Sequence, residues 1–230
     1  MVDMVSAFEA EGYQAAFFAV LGHKADLGVM VLGPDLVRIQ EFESALNAGP
    51  LVPVWSYVSL TELSEYTSTL EDERTRLQRE EGLQVSELEE RLSVWQERMQ
   101  HYSENRLYPC VPRSGVVSFY PMSKSRDPGA NWYELSFEER KSLMGGHARI
   151  GRNYAGRVLQ LITGSTGLDD WEWGVSLFVD DPVVLKEIVS EMRFDPVSAR
   201  YGQFGPFFIG VLGEIPDVLS RIGVSDRGDR

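Results

Sequence analysis

The chain has three histidines, His23, His101 and His147. His147 stands apart because it follows Gly145 and Gly146 inside SFEERKSLMGGH, a segment whose pattern predicts a helix. Glycine in a helix interior costs roughly 1 kcal/mol relative to alanine. A bulky flat ligand lying against the helix would account for that cost. A heme iron needs only one neutral imidazole from the protein, although a surface or capping histidine also accounts for His147. A second group of residues lies in VSFYPMSK. Strand alternation puts Tyr120, Met122 and Lys124 on one face, which offers a phenol, a soft apolar contact and an ammonium. That set suits a flat aromatic ligand carrying carboxylates. The plainer alternative leaves Tyr120 and Met122 in the core and Lys124 at the end of the strand.

Other chemistries find little support. The single cysteine, Cys110, makes no internal disulfide and excludes cysteine-rich zinc and iron–sulfur sites. The chain lacks G-x-S-x-G, G-x-x-x-x-G-K-[ST] and H-E-x-x-H. GSTG at 164–167 is too short for a phosphate loop. Asp169-Asp170 and Asp180-Asp181 fall where turns are expected. The net charge of −13 argues against nucleic-acid binding, which needs basic surface. Charge is unevenly spread: acidic residues crowd 62–104, while Arg106, Arg113, Lys124, Arg126, Arg140, Lys141, Arg149, Arg152 and Arg157 follow. A basic stretch in an acidic chain fits either a small anionic ligand or a solvated mixed-charge surface. No run approaches the roughly 18 apolar residues of a membrane span, and the acidic N-terminus lacks a signal-peptide core. The expectation is a cytoplasmic protein with no membrane span.

The elements that must position these residues follow from periodicity. Residues 13–22 and 27–32 read as strands, 34–49 as a helix stopped by Gly49-Pro50, and 52–60 as a strand, with Thr61 a candidate helix cap. Residues 70–103 are polar, with Leu88, Leu92, Trp95 and Met99 at helical spacing and Gly82 dividing two pieces. In the second half, 116–122 reads as a strand, Ser136 and Glu139 as a capping box opening a helix to about Tyr154, 157–164 and 171–179 as strands, 182–192 as a helix and 204–212 as a last strand. The tail, 225–230, reads as frayed. This β-α-β-β-α-β order is ferredoxin-like. The expected fold is therefore α+β, with two ferredoxin-like halves of the dimeric α+β barrel type whose antiparallel sheets face one another. Residues 1–100 form the first half with its connecting helices, and 101–230 the second.

The second half resembles the coproheme decarboxylases, the heme-synthesis branch of the chlorite dismutase-like superfamily. The matching strings are YPMSK (120–124), NWYEL (131–135), SFEERKSLMGGH (136–147), ITGSTGLDDWEWGVSLFVDD (162–181) and RFDPVSARYGQFGPFF (193–208). FFAVLGHKAD and LGVMVLGPD resemble the same family in the first half. The resemblance implies His147 as proximal iron ligand and Tyr120 as a radical-forming catalytic residue. It implies Lys124, Arg106, Ser198 and Arg193 near propionates, Met122 in the pocket and Gln160 at the distal position, where chlorite dismutases carry arginine. It implies iron-coproporphyrin III as substrate and redox centre, hydrogen peroxide as oxidant, and a monovinyl intermediate on the way to heme b. It also implies a homo-oligomer, typically a pentamer, with transient contact to an upstream ferrochelatase. Chlorite dismutase, heme peroxidase and a non-catalytic heme-binding or transfer protein are the alternatives. His101 is a loose possibility for a distal base.

Overall fold

A computed structural model describes residues 1–224; the 225–230 tail, read above as frayed, lies outside the described residues. In chain order the elements are α1 (Val2–Ala10), β1 (Gln14–Val20), β2 (Leu27–Leu32), α2 (Leu36–Asn47), β3 (Leu60–Thr61), α3 (Leu70–Glu81), α4 (Val85–Leu107), β4 (Val116–Lys124), β5 (Arg126–Asp127), β6 (Ala130–Asn131), α5 (Phe137–Arg152), β7 (Leu159–Gly164), β8 (Trp173–Val179), α6 (Pro182–Met192), α7 (Pro196–Tyr201), β9 (Gly202–Phe204), β10 (Phe208–Gly213) and α8 (Ile215–Arg221). A single 3-10 turn, Trp132–Glu134, precedes α5.

The class is α+β, as expected, with antiparallel strands in a curled sheet. From β4 onward the main strands and helices run β-α-β-β-α-β, and their sheet order, β10-β4-β8-β7, is the ferredoxin-like one. The two parts of the chain share one sheet rather than carrying two that face each other. The β1–β2 hairpin joins one edge through β1 and β10, while β3 joins the other edge through β7. The physical reason is that Ala15–Ala19 are buried on both faces, a run that an edge hairpin alone does not cover.

One expected strand and one expected cap are corrected. In 52–60 only Leu60 enters the sheet, pairing with Gly164. The rest drapes over the sheet: Trp55 packs on Phe119 and Phe208, and Tyr57 hydrogen-bonds Ser165. Pro53 removes a ladder donor from this stretch. Thr61 caps nothing. The next helix starts eight residues on at Thr69, whose hydroxyl accepts from Asp72 N–H in a capping box. The expected break at Gly82 stands, with φ of 60° in the left-handed region. Leu77, Leu88 and Leu92 close a small core between α3 and α4.

Two features aim the site. Ser136 and Glu139 form the expected capping box at the start of α5. On the other side of β4, the chain pairs as β9, leaves at 205–207, and returns as β10. That excursion carries Phe207 onto the Tyr120 ring, with centroids 4.3 Å apart. Gly205 makes it possible, because a Cβ there would stand 2.7 Å from Pro121 Cγ and 2.8 Å from the Trp171 ring. Gly205→Ala should therefore destabilise the fold by about 1–3 kcal/mol, the usual range for overpacking. Urea unfolding measures this, and an unchanged midpoint would show that the loop yields freely.

Candidate functional site

His147 lies on α5, and its Nδ1 is 2.8 Å from Asp195 Oδ2. Asp195 is only 4% exposed and caps α7, accepting from the Val197 and Ser198 amides at 3.1 and 3.3 Å. The helix N-terminus stabilises the carboxylate, and the carboxylate fixes the imidazole. With Nδ1–H donated to Asp195, Nε2 keeps its lone pair, the arrangement in which a histidine ligates a metal.

The wall opposite is β4. Tyr120 and Met122 pack into the cluster that holds Val175 and Leu177 of β8, Ile150 of α5 and Ile188 of α6. The predicted shared face of the strand thus looks toward the helices. Loss of water is the cause that raises the Tyr120 pKa, to about 12, so its phenol stays neutral. Lys124, 7% exposed, points its ammonium over the Trp132 ring, 4.8 Å from the centroid. Burial lowers its pKa to about 8, against the opposing pull of Asp195 and Glu172. The Glu172 carboxylate, itself buried, accepts the Lys124 backbone N–H at 2.8 Å and pairs with Arg126.

The remaining predicted residues are placed as follows. Gln160 on β7 pairs in register with Leu177, and its amide stands 3.5 Å from where a Cβ on Gly151 would be, beside the last turn of α5. Ser198 is half-buried and donates its N–H to Asp195. Arg106, at the end of α4, donates to the Glu62 carbonyl, and the Glu62 carboxylate accepts from Trp173 Nε1, whose strand residue pairs with Met122. It reaches the rim of the site, not its floor. Arg193 is exposed just after α6, two residues before Asp195. His101 is exposed on α4 and His23 in the β1–β2 turn, and among the described residues neither makes a side-chain hydrogen bond.

Asp195 and Glu172 went unnoticed in the sequence. D-P-x-S is a helix-cap signal for Asp195, with proline at the first helical position. Nothing in the string ties it to an imidazole 48 residues away. Glu172 sits in a tryptophan-rich turn and offers no signal.

The residues fit a porphyrin. A Cβ on Gly145 or Gly146 meets no protein atom within 4 Å, so no protein neighbour demands either glycine. The helix pays their cost in front of open space, one residue or two before the free imidazole nitrogen. Among the described residues no three His, Cys, Asp or Glu side chains converge into a cage for a bare ion. One imidazole suits an iron whose other ligands come from a macrocycle. No helix among the described residues is long and apolar enough to cross a membrane.

Comparison with known proteins gives the family. The chain is 44% identical over 218 residues to a protein of Natronomonas pharaonis described as a candidate heme-binding protein, covering 93% of this chain and 34% of that one. It thus spans about a third of that relative's length. A structure of a heme-binding protein from Thermus thermophilus superposes with a TM-score of 0.79 at 40% identity, over 96% of this chain and 81% of the other. A variant chlorite dismutase of Candidatus Nitrospira defluvii shares the fold, with a TM-score of 0.64 at 18% identity over 96% and 85%. The model of the family described as chlorite dismutase matches residues 1–213, and the chain belongs to that family.

Proposed function

We propose that the chain binds iron-coproporphyrin III through His147 and, with hydrogen peroxide, converts two of its propionates to vinyl groups, giving heme b. One observation supports this reading: the helix that carries an imidazole held by Asp195 packs its Ile150 into the cluster of a neutral buried phenol, Tyr120, while Asp195 also acts on a buried ammonium, Lys124. The heme-binding descriptions of the relatives from Natronomonas pharaonis and Thermus thermophilus support a porphyrin as ligand.

The bound iron, with peroxide, supplies the oxidising equivalents. The chain does the rest. His147 Nε2 would hold the iron of the porphyrin, and Asp195, accepting from Nδ1–H, fixes the tautomer that leaves Nε2 its lone pair. Lys124 and Ser198 anchor propionates inside the site, while Arg106 and Arg193 reach them from the rim by charge-assisted hydrogen bonds. Tyr120 gives up an electron and its phenolic proton, and the phenoxyl takes a hydrogen atom from the propionate carbon attached to the ring. A second electron leaves as the carbon–carboxylate bond breaks, yielding carbon dioxide and a vinyl group, with the phenol restored. Per propionic acid, one hydrogen peroxide is consumed and two waters form. Met122 and the apolar cluster exclude water from this step. Gln160 offers an amide but no positive charge at the distal position, which disfavours chlorite decomposition. The same reading has the chain working as a ring of identical copies, with coproheme handed over by a ferrochelatase. A heme carrier without turnover would need His147 and Asp195 but neither Tyr120 nor Lys124.

Three outcomes test this. His147→Ala should abolish the ligand spectrum of the ferric porphyrin, and Asp195→Asn, which still caps α7, should weaken porphyrin affinity about 10-fold or more. Equal affinity in Asp195→Asn would detach the carboxylate from ligation.

The ammonium form of Lys124 is the one that pairs with a propionate. Coproheme affinity should therefore be level below about pH 8 and fall above it, by up to about tenfold per pH unit. Titrating coproheme into Lys124→Met should lose that fall, and a fall that persists there belongs to another group.

Tyr120→Phe keeps the ring and its stacking on Phe207 but has no phenolic hydrogen. It should bind coproheme and consume peroxide, yet give neither the one-vinyl porphyrin nor heme b by mass spectrometry. Wild-type product from this variant would sink the radical assignment.

A further inference from the structure

Oxidising chemistry at His147 endangers every electron-rich ring nearby. Trp132 is 3% exposed and packs with Leu143 and Met144 of α5, within about one helical turn of His147. Tyr201, 5% exposed, meets it edge-on with centroids 5.3 Å apart. Tyr133 is the next residue along. Each of these rings carries a cation on its face. Lys124 Nζ is 4.8 Å from the Trp132 centroid, the Arg126 guanidinium 4.6 Å from Tyr133, and the Arg200 guanidinium 5.3 Å from Tyr201. Tyr120 differs. Its ring neighbours are Phe207 and Phe204, and among the described residues no cation lies over it.

A cation on a ring face is attracted by the neutral ring's quadrupole. Once the ring loses an electron, the same charge repels it, most strongly where ring and cation are both buried, as Trp132 and Lys124 are. The ring therefore becomes harder to oxidise. Arg126 is paired with Glu172, whose carboxylate also faces Tyr133, so no net charge guards that ring. We propose that Lys124 and Arg200 form an electrostatic guard that bars oxidising equivalents from Trp132 and Tyr201 and leaves Tyr120 as the ring that reacts. Lys124 then acts twice, on a propionate and as a positioning charge for the electron's route. The proposal rests on the function proposed above only for its oxidant, a peroxide-treated iron porphyrin.

The step being suppressed is the loss of two electrons and two protons from the Trp132 indole with uptake of one oxygen atom from water. The electrons and protons reduce one hydrogen peroxide to two waters. Trp173 is an internal reference. It lies on β8 with Nε1 donating to Glu62, and among the described residues it has no cation on its face.

The experiment loads the protein with heme b, adds hydrogen peroxide, and maps oxygen addition by peptide mass spectrometry. In Lys124→Gln the ratio of oxidation at Trp132 to that at Trp173 should rise roughly tenfold, the scale of one neighbouring charge largely screened by the Asp195 and Glu172 carboxylates. Lys124→Arg should restore the wild-type ratio. Arg200→Gln, outside the propionate anchors, should raise oxidation at Tyr201 alone. A ratio unchanged in Lys124→Gln overturns the proposal, as does a rise matched at Trp173 or no oxidation at Trp132. These outcomes are separate from the fate of the propionates. Wild-type protein that oxidises its rings but never decarboxylates coproheme would end the decarboxylase reading and leave the guard standing.

Discussion

The carboxylate of Asp195 is shared by three parts of the fold. It closes the N-terminus of α7, takes the Nδ1 proton of His147 on α5, and faces the ammonium of Lys124 at the end of β4. A buried carboxylate is expensive unless it is fully partnered, and here each partner is also a site element. The constraint runs both ways. α7 starts where it does because Asp195-Pro196 caps it, so the cap cannot move without turning the imidazole. The imidazole cannot turn without leaving a buried charge short of a hydrogen bond.

Lys124 carries the opposite problem. Held at a pKa of about 8, it is charged in the folded protein at neutral pH at a cost on the order of 3 kcal/mol relative to the open chain. The sign follows from linkage: the unfolded lysine keeps its proton to higher pH, so this destabilisation is full below about pH 8 and fades as the pH rises toward the ordinary lysine value. Asp195 and Glu172 offset part of it. A protein that needed only a filled strand end would do better with an apolar side chain. Keeping an ammonium there makes sense if an anion comes to meet it.

The sequence carried the local rules well. The cap at Ser136, the break at Gly82, helix 182–192 and the shared face of Tyr120, Met122 and Lys124 all follow from spacings of two, three or four residues. What failed was long-range. Residues 52–60 read as a strand, yet Trp55 and Tyr57 lie over the sheet instead of extending it while Val52 and Val54 stay exposed, and Pro53 takes a donor out of the ladder. The edge-to-edge joining of β1 and β10 depends on residues almost two hundred positions apart and left no local mark. The same holds for the site. His147 and Tyr120 were visible as types in a setting, while Asp195, the carboxylate that holds the His147 ring, looked like one more helix cap.

The two walls of the site also divide its labour along chemical lines. Charge and hydrogen bonds gather on α7 and at the end of β4: Asp195 behind the imidazole, Lys124 over Trp132, Arg200 over Tyr201. The sheet side around Tyr120 is hydrocarbon and phenylalanine. A phenol in apolar surroundings resists becoming a phenolate, so it reacts by losing an electron and a proton together. A ring beneath a cation resists losing an electron at all. Both effects act on one-electron chemistry, and the Lys124 charge serves the proposed binding of a propionate as well. That separation of the aromatic rings is what the proposed one-electron chemistry asks of the site.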